Sequence, residues 1–154
     1  MIAILSADEK AEQFVEFKMT NYSNMTIAVN DPFSSFIEKA GESSIEVLKQ
    51  SKEKGEWGKI TIKYKNLEVS YFQENDRIYY IRSRTSEWFL SESIRVGAQI
   101  SETELSEYNH LKIPGGYLLP YTLLEAGKQI KAYCMLLVID TNIIKEIDLF
   151  IAFD

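Results

Sequence analysis

Few residues of this sequence have the types and spacing that catalysis or metal binding needs. His110 is the only histidine and Cys134 the only cysteine, so they cannot supply the three or four ligands of a zinc site. The chain has no Gly-x-Ser-x-Gly turn, no phosphate-binding lysine motif and no Gly-x-Gly-x-x-Gly. His110 follows a predicted helix, where a contact with the helix C-terminus or plain exposure accounts for it. Cys134 lies in an apolar run, which predicts a buried, inert thiol.

The acidic residues indicate solvation and helix capping rather than metal binding. Glu102, Glu104 and Glu107 cluster at the start of a predicted helix, where the helix dipole favours negative charge. Asp140 and Asn142 lack the remaining ligands of a calcium loop. We therefore expect no metal, no cofactor and no catalytic residue, and we predict that the protein is not an enzyme.

Aromatic residues on predicted antiparallel strands are the strongest candidates for a binding role. Tyr79 and Tyr80 are adjacent, so in a regular strand they point to opposite faces and at least one is expected on an open face. Tyrosine and tryptophan suit interfaces because they combine a large rigid area with a polar tip. A partly buried place within the sheet is the alternative. The predicted binding residues are Tyr64, Tyr71, Tyr79, Tyr80 and Trp88, and Trp57 lies beside the same strands.

Composition limits the partners. The 154 residues are 45% hydrophobic and carry a net charge of −6, which is typical of a globular domain and argues against nucleic acid and anionic lipid. No apolar run approaches the roughly 20 residues of a membrane span. The single cysteine weakly favours a reducing, cytoplasmic compartment. Leu5-Ser6-Ala7 before an acidic stretch resembles the end of a signal peptide, and a lost leader would instead place the protein in the periplasm or envelope.

The spacing of apolar residues predicts the helices and strands that would position these residues. Asp31 and Pro32 predict the start of a helix that ends at Gly41, because Phe33, Phe36, Ile37 and Ala40 form one apolar stripe. A second helix is expected between 42 and 55, with a strand as the alternative. Period-two patterns over 59–64, 67–72 and 78–82 predict an antiparallel meander. In the second half we expect a strand over 93–96, a helix capped by Ser101 and Glu104, a short helix over 118–124, and two final strands.

The order of these elements recurs. Ile27 and Val29 align with Ile94 and Val96, and the polar turn at Asn75-Asp76 aligns with Thr141-Asn142. We therefore predict a single domain, 1–154, that contains an internal pseudo-repeat of residues 24–88 and 91–154. We accordingly predict an α+β fold of two tandem strand-helix-antiparallel meander units that share or pack their sheets.

The stretch 26–41 resembles the opening strand, turn and Gly-terminated helix of the beta-lactamase inhibitor protein type. It is also similar to the small BamE-type envelope lipoproteins, and 67–81 resembles the meander that follows in both. The resemblance implies a fold and, with the predicted aromatic face, a non-enzymatic protein-binding module that is inhibitor-like, immunity-like or envelope-associated. The alternative is a small-molecule-binding protein or enzyme with a pocket between helix and sheet, using His110 or an acidic residue.

Overall fold

The computed structural model of the chain describes residues 16–51 and 58–152. The fold is mainly β, with 52% strand, 12% helix and two short helices among the described residues. The predicted α+β fold of tandem strand-helix-meander units is therefore wrong. Trp57 lies outside the described residues.

Eight strands form one antiparallel sheet. They are β3 (Glu46–Ser51), β4 (Lys59–Tyr64), β5 (Leu67–Phe72), β6 (Arg77–Ser83), β8 (Leu111–Ile113), β9 (Gly116–Glu125), β10 (Lys128–Ile139) and β11 (Ile143–Ile151). Their order is β3-β4-β5-β6-β11-β10-β9-β8. The predicted antiparallel meander is thus confirmed, and β6 and β11 meet at the centre of the sheet.

A small sheet and two helices complete the described fold. The small sheet has the order β2-β1-β7 and consists of β1 (Met19–Asn21), β2 (Thr26–Ile27) and β7 (Trp88–Phe89). The helices are α1 (Phe33–Ala40) and α2 (Glu102–Leu105). Because α2 is only 4 residues long, the second half of the chain does not repeat the strand-helix unit of the first.

Helix α1 begins where its sequence predicts, but the cap comes from elsewhere. Asp31 accepts a hydrogen bond from the backbone N–H of Ala28, at 3.0 Å, instead of capping the helix. The Asp76 carboxylate accepts bonds from the Ser34 backbone N–H and hydroxyl at 3.0 and 2.5 Å. The turn between β5 and β6 therefore provides hydrogen-bond acceptors for the first turn of α1, where N–H groups have no partner within the helix. These bonds hold the helix against the sheet.

Two segments predicted to be helical are strands. The described part of the first segment, residues 42–51, contains a 3₁₀ turn, Glu42–Ser44, followed by β3. The predicted helix over 118–124 lies inside β9, where Leu119, Tyr121 and Leu123 are buried on one face while Leu118 is half-buried on the other. A strand inside a sheet accepts apolar residues on both faces, and this removes the alternation by which strands are recognised.

All ring contacts from the helices and the small sheet to the eight-stranded sheet fall on one face, here named the closed face. Phe33 stacks on Tyr71 with ring centroids 3.6 Å apart, and Phe36 meets Tyr64 edge-on at 5.4 Å. Trp88 also packs against Tyr64, at 6.3 Å. The closed face is therefore the hydrophobic core, and its central side chains are fully buried. They include Ile62, Leu67, Val69, Ile78, Ile81, Leu119, Cys134, Leu136, Ile147 and Leu149.

Candidate functional site

The opposite face of the same sheet, here named the open face, carries two rows of side chains that run across the strands. Residues paired in neighbouring strands share a face, so the register defines both rows. The first row is Lys63, Glu68, Arg82, Asp148, Met135 and Leu118. The second row is Thr61, Ser70, Tyr80, Phe150, Tyr133 and Pro120. Both rows are polar on β4 and β5 and apolar on β9 and β10, so the open face has a charged half and an apolar half.

Asp148 is the polar residue at the centre of this face. Its side chain is 0% exposed, although the hydrophobic core formed by the described residues lies on the other side of the sheet. Its Oδ2 accepts a hydrogen bond from the Tyr80 hydroxyl at 2.9 Å, and its Oδ1 lies 3.2 Å from Arg82 Nε. The Arg82 Nη2 in turn donates to the Tyr80 oxygen at 2.6 Å. These bonds close a ring of three side chains and orient each of them.

Two further charged residues extend the ring toward β5. Glu146 lies two residues before Asp148 on the same face, with its Oε2 3.4 Å from Arg82 Nε. Its Oε1 accepts a hydrogen bond from Arg84 Nε at 2.7 Å. Arg84 is 59% exposed and also approaches Glu68, at 3.8 Å. The charged half therefore contains fixed guanidinium groups that are partly accessible to solvent.

Burial changes the proton affinities in this cluster. Desolvation and the adjacent Glu146 raise the pKa of Asp148 to about 7. Burial is the largest influence on Glu146 and opposes its ionisation, but the hydrogen bonds from Arg84 and Asp148, together with the charges of Arg82 and Arg84, outweigh it and lower the Glu146 pKa. Burial, together with the charge of Asp148, raises the pKa of Tyr80 to about 12, so Tyr80 is a neutral hydrogen-bond donor and not a phenolate nucleophile.

The apolar half is an aromatic strip. Phe150 lies between Tyr80 and Tyr133, with ring centroids 5.8 and 5.6 Å apart. Tyr80, Phe150, Tyr133 and Met135 are all half-buried. Such large, partly exposed side chains in contact provide an apolar area that a partner can cover.

Two shallow depressions lie over the charged half. One has a volume of about 240 Å³ and is lined by residues that include Leu48, Lys63 and Arg84. The other, of about 230 Å³, is lined by Thr61, Ser70, Tyr79 and Tyr80 among others, and both depressions include Glu68 and Arg82. Both volumes are below the roughly 300–1,000 Å³ of ligand pockets. This geometry suits side chains of a macromolecule better than an enclosed small molecule.

The structure distributes the five predicted aromatic residues over both faces. Tyr64 and Trp88 are 4% and 0% exposed on the closed face, where the Trp88 indole N–H donates to the Lys65 carbonyl at 3.0 Å. Tyr71 is half-buried against Phe33. These three residues are therefore part of the packing beneath α1 and the small sheet.

Tyr79 and Tyr80 both line the same open-face depression. The register pairs Ser70 with Tyr80 and Tyr71 with Ile78, so Tyr79 is the extra residue of a β-bulge. A bulge interrupts the alternation of a strand, so the expectation that adjacent residues point to opposite faces is wrong here. Tyr79 stacks on Phe72, with ring centroids 4.4 Å apart.

The other chemistry-bearing residues lie away from this face. His110 is exposed, and its Nδ1 lies 3.0 Å from the Tyr108 carbonyl. Cys134 is buried on the closed face, as predicted, and burial raises its pKa. Ser101 caps α2 through a 3.2 Å bond from the Glu104 N–H, which confirms the predicted cap at Ser101, and the Glu104 carboxylate accepts from the Ser101 hydroxyl at 3.3 Å. Within 16–51 and 58–152, no group of three or more His, Cys, Asp or Glu residues is placed to hold a metal ion.

Sequence reasoning missed the charged cluster entirely. Arg82 lies in β6 and Arg84 directly follows that strand, whereas Glu146 and Asp148 lie in β11, so the bonded residues are 62 to 66 positions apart in the chain. One signal was present: in the final strand, which is apolar except for Lys145, Glu146 and Asp148, the two acidic residues are spaced by two, and this puts two carboxylates on one face. A charge in a central strand is expensive and suggests a partner on the neighbouring strand.

Comparisons with protein-family models, curated proteins and solved structures gave no match to this chain. Within the described residues, the helices are too short or too polar to span a bilayer. The open face is therefore the feature from which we infer a function.

Proposed function

We propose that this protein is a non-enzymatic binding module that recognises another protein through the open face of its eight-stranded sheet. The observation that carries the proposal is the direct contact between the aromatic strip and the fixed arginine cluster. Phe150 contacts Tyr80, whose hydroxyl is bonded to both Arg82 and Asp148. Tyrosine and arginine are the residues most enriched among those that dominate binding energy at protein interfaces.

The two halves of the face define the partner's chemistry. Tyr133, Phe150 and Met135 offer apolar area to an apolar or aromatic patch. Arg84, which is 59% exposed and held by Glu146, offers N–H groups to acidic or carbonyl oxygens. A partner with an apolar patch beside a carboxylate matches both halves. An inhibitor-like, immunity-like or envelope-associated role is the concrete form of this proposal and rests on the sequence resemblance.

The test is affinity capture from the source cells, followed by binding of the purified partner to wild type and variants. Tyr133→Ser removes an aromatic residue from the open face. Tyr22→Ser is the matched control, because Tyr22 is 69% exposed between β1 and β2, away from this face. We expect Tyr133→Ser to weaken binding by about tenfold or more and Tyr22→Ser to leave it unchanged.

Circular dichroism must show that both variants are folded. Equal binding by wild type and Tyr133→Ser would contradict the proposal, as would equal losses in the two variants. Turnover of a substrate by the purified protein would contradict the non-enzymatic assignment.

A further inference from the structure

The charged half of the open face contains more carboxyl groups than guanidinium groups. Glu68, Glu146 and Asp148 meet Arg82 and Arg84, and a single N–H, on Arg82 Nε, lies within 3.4 Å of both Glu146 and Asp148. Two carboxylates that converge on one donor repel each other unless a proton neutralises one of them. Asp148 has no solvent contact through which water could screen its charge.

We propose that Asp148 and Glu146 together bind one proton, and that this proton sets the charge of the open face and thereby its affinity for an acidic partner. The effect on affinity rests on the proposed function, whereas the proton site does not. With the proton bound, the cluster holds two negative and two positive charges. Without it, one further negative charge lies at the centre of the binding face.

The neighbours of Asp148 on every adjoining strand support a shared proton. From β6, Tyr80 and Arg82 both donate to Asp148. From β10, the paired residue is Met135, which brings no charge. Glu146 is the remaining charged neighbour, and Glu68 on β5 reaches the cluster through Arg84. The pKa directions agree, since burial and Glu146 raise the pKa of Asp148 while that of Glu146 is lowered.

Release of the proton has a structural consequence. An ionised Asp148 competes with Glu146 for the N–H of Arg82, so the guanidinium must shift toward the buried carboxylate. Arg77 provides an internal reference, because it pairs with Glu125 at 3.1 Å, away from Asp148.

The test is a pH titration of the full-length protein by NMR, following side-chain carboxyl carbons and arginine Nε signals. We expect Asp148 to titrate near pH 7, above the ordinary value of about 4 for an aspartate. The Arg82 Nε signal should move with the same midpoint, and the Arg77 signal should not. Asp148→Asn should abolish the transition, whereas Asp140→Asn, on the exposed β10–β11 turn, should leave it intact.

Titration of Asp148 below about pH 5 would overturn the proton site, as would an Arg82 signal that does not change with the ionisation of Asp148.

The partner captured above then tests whether the proton regulates binding. Wild type should bind it about threefold to tenfold more tightly at about pH 6 than at about pH 8, because one charge is worth roughly 1 kcal/mol at a solvated interface. Asp148→Asn should lose this dependence. Equal affinity at both pH values would overturn the regulation, and absence of any partner would contradict the proposed function while the titration still decides the proton site.

Discussion

The two faces of the eight-stranded sheet use the same strands but bury their side chains against different groups. On the closed face, Leu136 and Ile147 are paired and 0% exposed beneath the small sheet and helices. On the open face, their neighbours Met135 and Asp148 are also paired, and the buried carboxylate is satisfied by Tyr80 and Arg82. Apolar burial stabilises a fold directly, whereas a buried ion pair contributes little net stability. The charge cluster of the open face is therefore expected to add little net stability to the fold.

The largest expected effect compares adjacent residues of β10 that face opposite ways. Leu136→Ala should lower the free energy of unfolding by about 3–5 kcal/mol, because it opens a cavity in the core. Met135→Ala should cost less than about 1 kcal/mol, because its side chain is half-exposed on the open face. Urea unfolding of both variants measures the difference. Equal losses would show that the open face is packed as tightly as the core.

Removing the central cation of the open face comes next. Arg82→Met keeps an aliphatic stem but leaves Asp148 and Glu146 without their shared donor. We expect a loss of about 2–3 kcal/mol at about pH 8, reduced from the value for a fully buried pair because the Arg82 side chain is 30% exposed. The loss should be smaller at about pH 5, where Asp148 is protonated. A loss that does not depend on pH would contradict the charge argument.

The pH dependence of the free energy of unfolding follows from the direction in which folding changes the pKa of Asp148. Its pKa in the folded protein is raised to about 7, so its stabilising contribution is complete below about pH 4 and is lost as the pH rises through 7. Wild type should therefore lose about 1–3 kcal/mol relative to Asp148→Asn between about pH 5 and about pH 8. Urea unfolding at both pH values gives the difference, with Asp140→Asn as control. Parallel curves for wild type and Asp148→Asn would contradict this prediction.

The smallest expected effect concerns a buried, unsatisfied polar group on the closed face. The Tyr121 hydroxyl is buried and has no hydrogen-bond partner among the described residues. Tyr121→Phe removes this unsatisfied group and keeps the edge-on contact with Phe17, whose ring centroid lies 4.9 Å away. We expect a gain of up to about 1 kcal/mol in thermal or urea unfolding. A loss of stability would show that the hydroxyl has a partner after all.

Local features were predictable where neighbouring residues determine them. The Lys65-Asn66 turn has positive φ angles of 45° and 64°, as a tight hairpin turn requires. The Ser101 cap of α2 and the apolar stripe of α1 also follow from local spacing. Strand β9 could not be recognised in this way, because Leu118 and Leu119 are apolar on opposite faces of one strand.

The sequence predicted the kind of candidate site, but not most of the residues that form it. An open sheet face with aromatic residues was expected, and Tyr80 lies on such a face, but Tyr64 and Trp88 are core residues. Which tyrosines face outward depends on the bulge at Tyr79 and on which face α1 covers. Neither is visible in the spacing of the aromatic residues.

The sequence by itself determined the turns, the cap of α2, the period-two strands and the acidic balance, because each depends on residues close together in the chain or on composition alone. Only the tertiary structure decided that β11 lies between β6 and β10. That placement brings Asp148 within 3.2 Å of Arg82, 66 residues away in sequence. The physical reason is that strand order and register are set by the packing of the whole sheet, so contacts between distant strands leave no local pattern.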